Sequence, residues 1–217
     1  MTLLGRGDCQ MRVLGVGLGR TGTSTLHRAL EILGLKSIHF DTNRLNDILA
    51  GVTPNPDFRR YDDIDAVTDI PSAYFFSELL EAYPESKAIL TIRDINAWWK
   101  SISYHSNIRT PISKKGFRCY ASRVLGLKQQ LEMDREEKYD MFRILMRNYV
   151  YGSIVASEFL YKKKYVEHNN HVIATVPAKR LLIIDITAGD GWDKICPFLG
   201  MPMPSEIFPH ENKSNFK

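Results

Sequence analysis

Val13 to Leu30 is the stretch that decides the fold, and its sequence is V-L-G-V-G-L-G-R-T-G-T-S-T-L-H-R-A-L. Apolar residues open it and apolar residues at helical spacing close it, which predicts a short buried strand, a glycine turn and a helix. Glycines remove Cβ clashes from the turn, so several backbone N–H groups can point at one anion beside the start of the helix. The stretch therefore predicts a phosphate-binding loop.

Local pattern alone leaves several interpretations of this loop open. The segment from Gly17 to Gly22 fits the dinucleotide-binding motif G-x-G-x-x-G, and Asp41 follows at about the twenty-residue spacing of a ribose-binding acid. The segment from Gly17 to Ser24 also fits G-x-x-x-x-G-K-[ST], except that Thr23 replaces the lysine. Without that lysine, ordinary ATP or GTP chemistry is disfavoured. A glycine turn that only packs a helix on a strand is the structural alternative.

Length and composition predict one globular domain over residues 1–217, with residues 1–10 as a loose leader. The chain is 44% hydrophobic and 25% charged, and no apolar run has the length of a membrane span or a signal core, so we expect a cytoplasmic protein. A net charge of +4 without a basic, aromatic-rich segment disfavours nucleic acid and suits a pocket for one small polyanion. The three cysteines lack disulfide or metal spacing: Cys9, Cys119 and Cys196.

Alternating periodicities along the chain predict an α/β fold with a central, mostly parallel sheet of four to five strands. Strands are predicted at 11–17, 36–40, 64–68, 88–92 and 181–186, and helices at 23–33, 43–50, 75–83, 96–107, 134–164 and 192–199. We expect Gly34 to end the first helix, and Asp134 and Glu137 to begin the long helix as a capping box. We expect residues 108–131 to form a partly helical insertion at the pocket mouth. Lys162 to Lys164 are expected to end the long helix, and 171–176 fits either a strand or a helix.

Charged side chains follow the predicted strands, where ligands bind in parallel α/β sheets. They are two cations and two carboxylates: Arg20, Asp69, Arg93 and Asp185. Cations neutralise an anionic donor, and a carboxylate can take a proton from an acceptor hydroxyl. This set suits the transfer of an anionic group.

Three segments carry a resemblance to one enzyme family. R-T-G-T-S-T-L, from Arg20 to Leu26, resembles the 5′-phosphosulfate loop of sulfotransferases that use 3′-phosphoadenosine 5′-phosphosulfate (PAPS). T-I-R-D-I-N-A-W-W-K-S resembles their 3′-phosphate motif, in which Arg93 is followed eight residues later by Ser101. The turn that begins at Asp69, D-I-P, resembles the acid-x-[SP] turn of the catalytic carboxylate. The chain resembles a microbial and lower-eukaryote subfamily of P-loop sulfotransferases over nearly its whole length.

The resemblance implies a three-layer P-loop-type fold and in-line transfer of a sulfuryl group to a hydroxyl or amine of a small-molecule or glycan acceptor. It implies PAPS as the donor, adenosine 3′,5′-bisphosphate as the product and no metal. Asp69 is implied as the base, with His39, Asp41 or His105 as alternatives, and Arg20 as the residue that stabilises the leaving group. The donor-binding residues that it implies are Gly19, Arg20, Thr21, Gly22, Thr23, Ser24, Thr25, Arg93 and Ser101.

Two departures and three rival functions accompany the resemblance. Ile95 replaces the proline usual in the 3′-phosphate motif, and only Lys213 is available for the C-terminal nucleotide clamp. A small-molecule kinase or NTPase is one rival, because residues 181–185 resemble a Walker B strand. An NAD(P)-binding oxidoreductase is favoured only by Asp41, and a non-catalytic nucleotide-binding module would not need Asp69.

Overall fold

The structure is a computed structural model that describes residues 11–125 and 133–211. The predicted leader and Lys213 lie outside the described residues. The strands are β1 (Val13–Gly15), β2 (Ser37–His39), β3 (Ala66–Thr68), β4 (Lys87–Thr91) and β5 (Leu181–Ile184). The α-helices are α1 (Thr23–Ile32), α2 (Asn46–Leu49), α3 (Phe76–Ala82), α4 (Ile95–Tyr104), α5 (Lys114–Val124), α6 (Arg135–Tyr151), α7 (Glu158–Thr175) and α8 (Trp192–Leu199). A π-helical turn covers His105–Arg109, and 3₁₀ turns cover Ala178–Arg180 and Ile186–Ala188.

The five strands form one parallel sheet in the order β2-β3-β1-β4-β5. The connection from β1 to β2 passes β3, and the connection from β3 to β4 passes β1 in the opposite direction. Loops that follow neighbouring strands therefore meet at the carboxyl edge of the sheet, where ligands bind in this class of fold. The predicted α/β fold with a parallel sheet flanked by helices is confirmed.

The chain divides into two compact units. The first contains the sheet and is built from the described residues up to Asp41, from Asp57–Asp94 and from Glu167 onward. The second is built from Thr42–Pro56 and Ile95–Val166 and contains α2, α4, α5 and α6. None of the helices in the described ranges has the length and apolar character needed to cross a membrane.

The core of the first unit forms where α1 packs on the sheet. Leu26 and Leu30, fully buried on one face of α1, pack with Ile89 of β4 and Ile195 of α8. Gly34, at φ 81°, ends the helix as predicted. Two hydrogen bonds complete a Schellman motif at this end. Gly34 N–H donates to Glu31 O at 2.9 Å, and Leu35 N–H donates to Leu30 O at 3.0 Å.

The second unit is organised around α6, whose predicted capping box is present. The Asp134 carboxylate accepts from Glu137 N–H at 2.9 Å, and the Glu137 side chain accepts from Asp134 N–H at 2.9 Å. Further along α6, the buried guanidinium of Arg147 donates to the carbonyls of Ser106 and Thr110, both at 2.9 Å. Arg147 therefore holds the π-helical turn against α6.

The structure corrects or completes three expectations about the elements. Lys162 to Lys164 do not end the long helix, because Gly152 at φ 72° ends α6 and a separate helix, α7, begins at Glu158. Residues 171–175 are helical, which decides between the strand and the helix that the sequence leaves open. The insertion expected at residues 108–131 contains the helix α5, and its residues 126–131 lie outside the described part of the chain.

Candidate active site

The loop between β1 and α1 has the close-packed backbone that its glycines permit. A Cβ on Gly17 would lie 2.6 Å from the Thr91 carbonyl oxygen, so a side chain has no room there. Gly22, at φ 101°, is the N-cap of α1 and offers no side-chain oxygen to the first N–H groups of the helix. Those N–H groups and the helix dipole are suited to an anion.

The Thr21 hydroxyl fixes the loop to the neighbouring strand. It donates to Leu18 O at 2.6 Å and lies 2.6 Å from the Thr91 hydroxyl at the end of β4. Thr21 is completely buried. The predicted donor contact of Thr21 therefore depends on its backbone N–H, since its hydroxyl is used to shape the loop.

Asp69 lies directly after β3 and against this loop. Its Oδ2 accepts from the Thr23 hydroxyl at 3.0 Å, and its Oδ1 accepts from Ile70 N–H at 2.8 Å. A Cβ on Gly19 would lie 3.2 Å from Oδ1, so the missing side chain of Gly19 lets the carboxylate approach the loop. Asp69 is 8% exposed and has φ 71°, a left-handed backbone that few non-glycine residues adopt. The structure thus brings Asp69, Gly19 and Thr23 together.

His39, at the end of β2, lies beside the same carboxylate. Its Nε2 is 3.1 Å from Ser24 Oγ and 3.5 Å from Asp69 Oδ2, and its Nδ1 is 3.0 Å from Thr68 Oγ1. The sequence analysis names His39 only as an alternative base. The signal that links it to Asp69 is positional, because both residues close neighbouring strands.

The two arginines of the predicted donor site also meet. Arg93 follows β4, and its Nη1 donates to the backbone carbonyl of Arg20 at 3.2 Å. Arg20 has φ 72°, a left-handed conformation within the loop. The guanidinium of one predicted donor ligand is thereby tied to the backbone of the other.

The remaining predicted residues occupy varied surroundings. Thr25 is buried on α1, and its hydroxyl accepts from Glu211 N–H at 3.1 Å. Asp41 is buried two residues after β2. Ser101 is buried on α4 in the second unit, and His105 opens the π-helical turn of that unit.

Asp185, the fourth strand-end charge, caps a turn. Its Oδ1 accepts from the Thr187 hydroxyl at 2.6 Å and from Ala188 N–H at 3.0 Å. These bonds close the 3₁₀ turn after β5. Asp185 therefore has a role in the turn, and its expected part in transfer stays a prediction.

Comparison with known proteins agrees with this arrangement. A family model described as "Sulfotransferase domain" matches residues 12–216. The Ava biosynthesis cluster protein M of Aspergillus versicolor is 33% identical to the chain over 222 aligned residues, which cover 92% of this chain and 80% of that protein. The chain belongs to the sulfotransferase domain family, and its function is of the sulfotransferase type.

Proposed function

We propose that this protein transfers a sulfuryl group from PAPS to a hydroxyl or amine of a small-molecule or glycan acceptor. The observation that carries the proposal is the contact between Asp69 and the β1–α1 loop, where a proton acceptor lies 3.0 Å from the Thr23 hydroxyl of a phosphate-binding turn.

The residues of the loop fit a sulfated nucleotide. The glycines at 17, 19 and 22 leave space for close approach, and a glycine N-cap directs the first N–H groups of α1 toward an anion. In this proposal the N–H groups of residues 21–24 bind the 5′-phosphate, with side-chain support from Ser24 and Thr25. Arg93 binds the 3′-phosphate, which Arg can grip through two parallel hydrogen bonds.

In this proposal the transfer uses no metal. Asp69 takes the proton from the acceptor hydroxyl, the acceptor oxygen bonds to sulfur, and the bond from sulfur to the bridging oxygen breaks. Adenosine 3′,5′-bisphosphate leaves with the electron pair of that bond, and Arg20 stabilises the charge that grows on the bridging oxygen. By analogy with phosphoryl transfer, positioning and charge neutralisation supply most of the rate enhancement.

Specific residues disfavour two of the three rival functions. A kinase or NTPase of this fold needs a lysine at position 23, whereas Thr23 is buried and bonded to Asp69. A dinucleotide-binding oxidoreductase rests on Asp41 alone, the acid about twenty residues after the loop. A non-catalytic nucleotide-binding module would bind the bisphosphate, but the wild-type protein would then transfer no sulfuryl group.

Thermal unfolding with three nucleotides tests the donor. We expect adenosine 3′,5′-bisphosphate at about one hundred times its Kd to raise the Tm by roughly 5–10 °C, because ligand binding to the folded state stabilises it. Arg93→Ala is expected to remove most of this shift. Arg28→Ala is the matched control, since Arg28 is an exposed arginine on α1 that bonds only Glu31 among the contacts described.

Parallel scans use Mg-ATP and NAD in place of the bisphosphate. A higher Tm with Mg-ATP or NAD, together with no change in Tm with the bisphosphate, would exclude PAPS as the donor. That result would favour a kinase or an oxidoreductase instead. Equal loss of the shift in the Arg28 and Arg93 variants would exclude Arg93 as a specific ligand.

A further inference from the structure

We infer that His39 is a positioning residue that holds the Asp69 carboxylate and the Ser24 hydroxyl in one fixed arrangement. Its ring bridges the residue that would take the acceptor proton and the loop that would bind the donor. The catalytic consequence rests on the proposed sulfuryl transfer, whereas the contacts themselves do not.

Both ring nitrogens of His39 face polar partners. A neutral imidazole has one N–H donor and one acceptor nitrogen, and an ionised carboxylate only accepts. Nε2 lies 3.1 Å from Ser24 Oγ and 3.5 Å from Asp69 Oδ2, and because a carboxylate only accepts, we place the N–H on Nε2. Nδ1 then accepts from the Thr68 hydroxyl at 3.0 Å.

This assignment makes His39 a support for the base rather than the base itself. The Nε2 atom that points at the carboxylate already carries the proton, and the lone pair on Nδ1 is engaged by Thr68. An acceptor hydroxyl would have to displace one of these partners before His39 could take its proton. The carboxylate of Asp69 needs no such exchange of tautomer.

The sheet and a second histidine hold the ring in place. β2 pairs with β3 in a register that sets His39 opposite Thr68, and a slip of one residue would turn the side chain to the other face. His27 stacks on His39 with centroids 5.6 Å apart and planes at 24°, and its own Nδ1 lies 2.8 Å from the Ser37 hydroxyl. Burial lowers the pKa of His27, so the stacked ring is uncharged at neutral pH.

Two substitutions of His39 differ in whether they keep the contacts of Nε2. Gln places an amide near the position of Nε2, whereas Asn reaches only as far as Nδ1, so His39→Gln keeps the contact with Ser24 and Asp69 and His39→Asn loses it. The assay is transfer from ³⁵S-labelled PAPS to 2-naphthol, with the Kd for adenosine 3′,5′-bisphosphate measured alongside. We expect Asn to lower kcat by roughly 10²-fold, the cost of a small misplacement. Gln should retain at least about a third of kcat, and both Kd values should stay within about threefold of wild type.

The kcat values of the two variants distinguish a positioning role of His39 from its other possible roles. Equal and large losses of kcat in both variants would overturn the proposal and make the imidazole itself the base. A wild-type kcat for His39→Asn would also overturn it. A loss of kcat that follows only a fall in Tm would indicate a structural role.

Imidazole ¹⁵N NMR spectra test the contacts without any need for turnover. We expect the neutral Nε2–H tautomer for His39 and a shift of its resonances in Asp69→Asn, whereas the His27 resonances should change less. The resonances that disappear in the spectrum of His39→Gln are those of His39. Unchanged His39 resonances in Asp69→Asn would overturn the proposal. If the wild type binds no bisphosphate and transfers no sulfuryl group, the proposed function fails while these spectra still decide the contacts.

Discussion

Thr23 shows at the scale of one residue how the site differs from that of an NTPase. It stands where a lysine would reach the β- and γ-phosphates, and its hydroxyl instead donates to Asp69 Oδ2 at 3.0 Å. A lysine there would set a cation beside the carboxylate and lower its ability to take a proton. A neutral hydroxyl orients Asp69 without that effect.

Asp69→Asn tests the proton acceptor. We expect kcat to fall by about 10²- to 10⁴-fold, the range of general base catalysis, because the amide cannot accept the proton. The Tm shift with adenosine 3′,5′-bisphosphate should remain, since the amide still fits beside Gly19 and Thr23. Transfer to 2-naphthol and thermal unfolding are the two measurements.

Asp185→Asn is the matched control, because it is also a strand-end carboxylate but closes a turn through Thr187 and Ala188. It should lose stability and keep its kcat. A fully active Asp69→Asn would move the base to His39, Asp41 or His105. Loss of the bisphosphate shift in that variant would give Asp69 a role in donor binding instead.

At the scale of elements, the site depends on how closely the β1–α1 loop approaches the ends of β3 and β4. Gly17 lies against the Thr91 backbone, Gly19 lies against Asp69, and the Thr21 and Thr91 hydroxyls meet at 2.6 Å. These contacts join the loop to both strands that flank β1. The loop is therefore held by the sheet before any ligand binds.

Gly17→Ala tests this close approach. A methyl group there would meet the Thr91 carbonyl, so we expect the free energy of unfolding to fall by about 3 kcal/mol, the upper range for overpacking. Urea unfolding measures the loss. Gly34→Ala provides the comparison, because Gly34 has open space around it and φ 81°. Gly34→Ala should lower the free energy of unfolding by only about 1 kcal/mol, the cost of a left-handed backbone for alanine. Equal losses for the two variants would contradict a steric restriction at Gly17.

At the scale of the whole molecule, histidine titration links folding stability to pH. His168, on α7, is held by a 2.7 Å contact between its Nε2 and Val16 O, and burial lowers its pKa below 6.5. The pKa of His27 is lowered for the same principal reason. Both rings bind protons more readily in the unfolded chain than in the folded chain.

We therefore expect the free energy of unfolding to decrease as the pH falls from about 6.5 toward 5, since protons then bind preferentially to the unfolded state. The carboxylates whose pKa values are lowered, such as Asp134 and Asp190, act at lower pH. Urea titrations between pH 5 and 8 measure the slope. His168→Gln keeps a donor for Val16 O and should flatten the curve; a slope equal to that of wild type would exclude His168 as a source.

Much of the architecture follows from local sequence. Strands were predictable because short apolar, β-branched runs alternate with helical periodicity, and α8 begins and ends where its pattern predicts. The α6 start was predictable from Asp134 and Glu137, since a capping box uses residues three apart. Lys162 to Lys164 were misassigned because the apolar spacing of α6 continues to Ile154, which outweighed Gly152 as a local stop signal.

The sequence by itself determined the glycine-rich loop between β1 and α1, the order of the strands, and the family, because each depends on residues close together in the chain. Tertiary structure alone decided the chemistry around Asp69. Thr23 lies 46 positions from Asp69, and Thr21 lies 70 positions from Thr91, and these pairs meet only once the sheet has formed. Sheet register also decided that His39 faces Thr68 and Asp69. A hydrogen bond depends on distances of a few ångströms, which strand order and pairing set and local pattern does not.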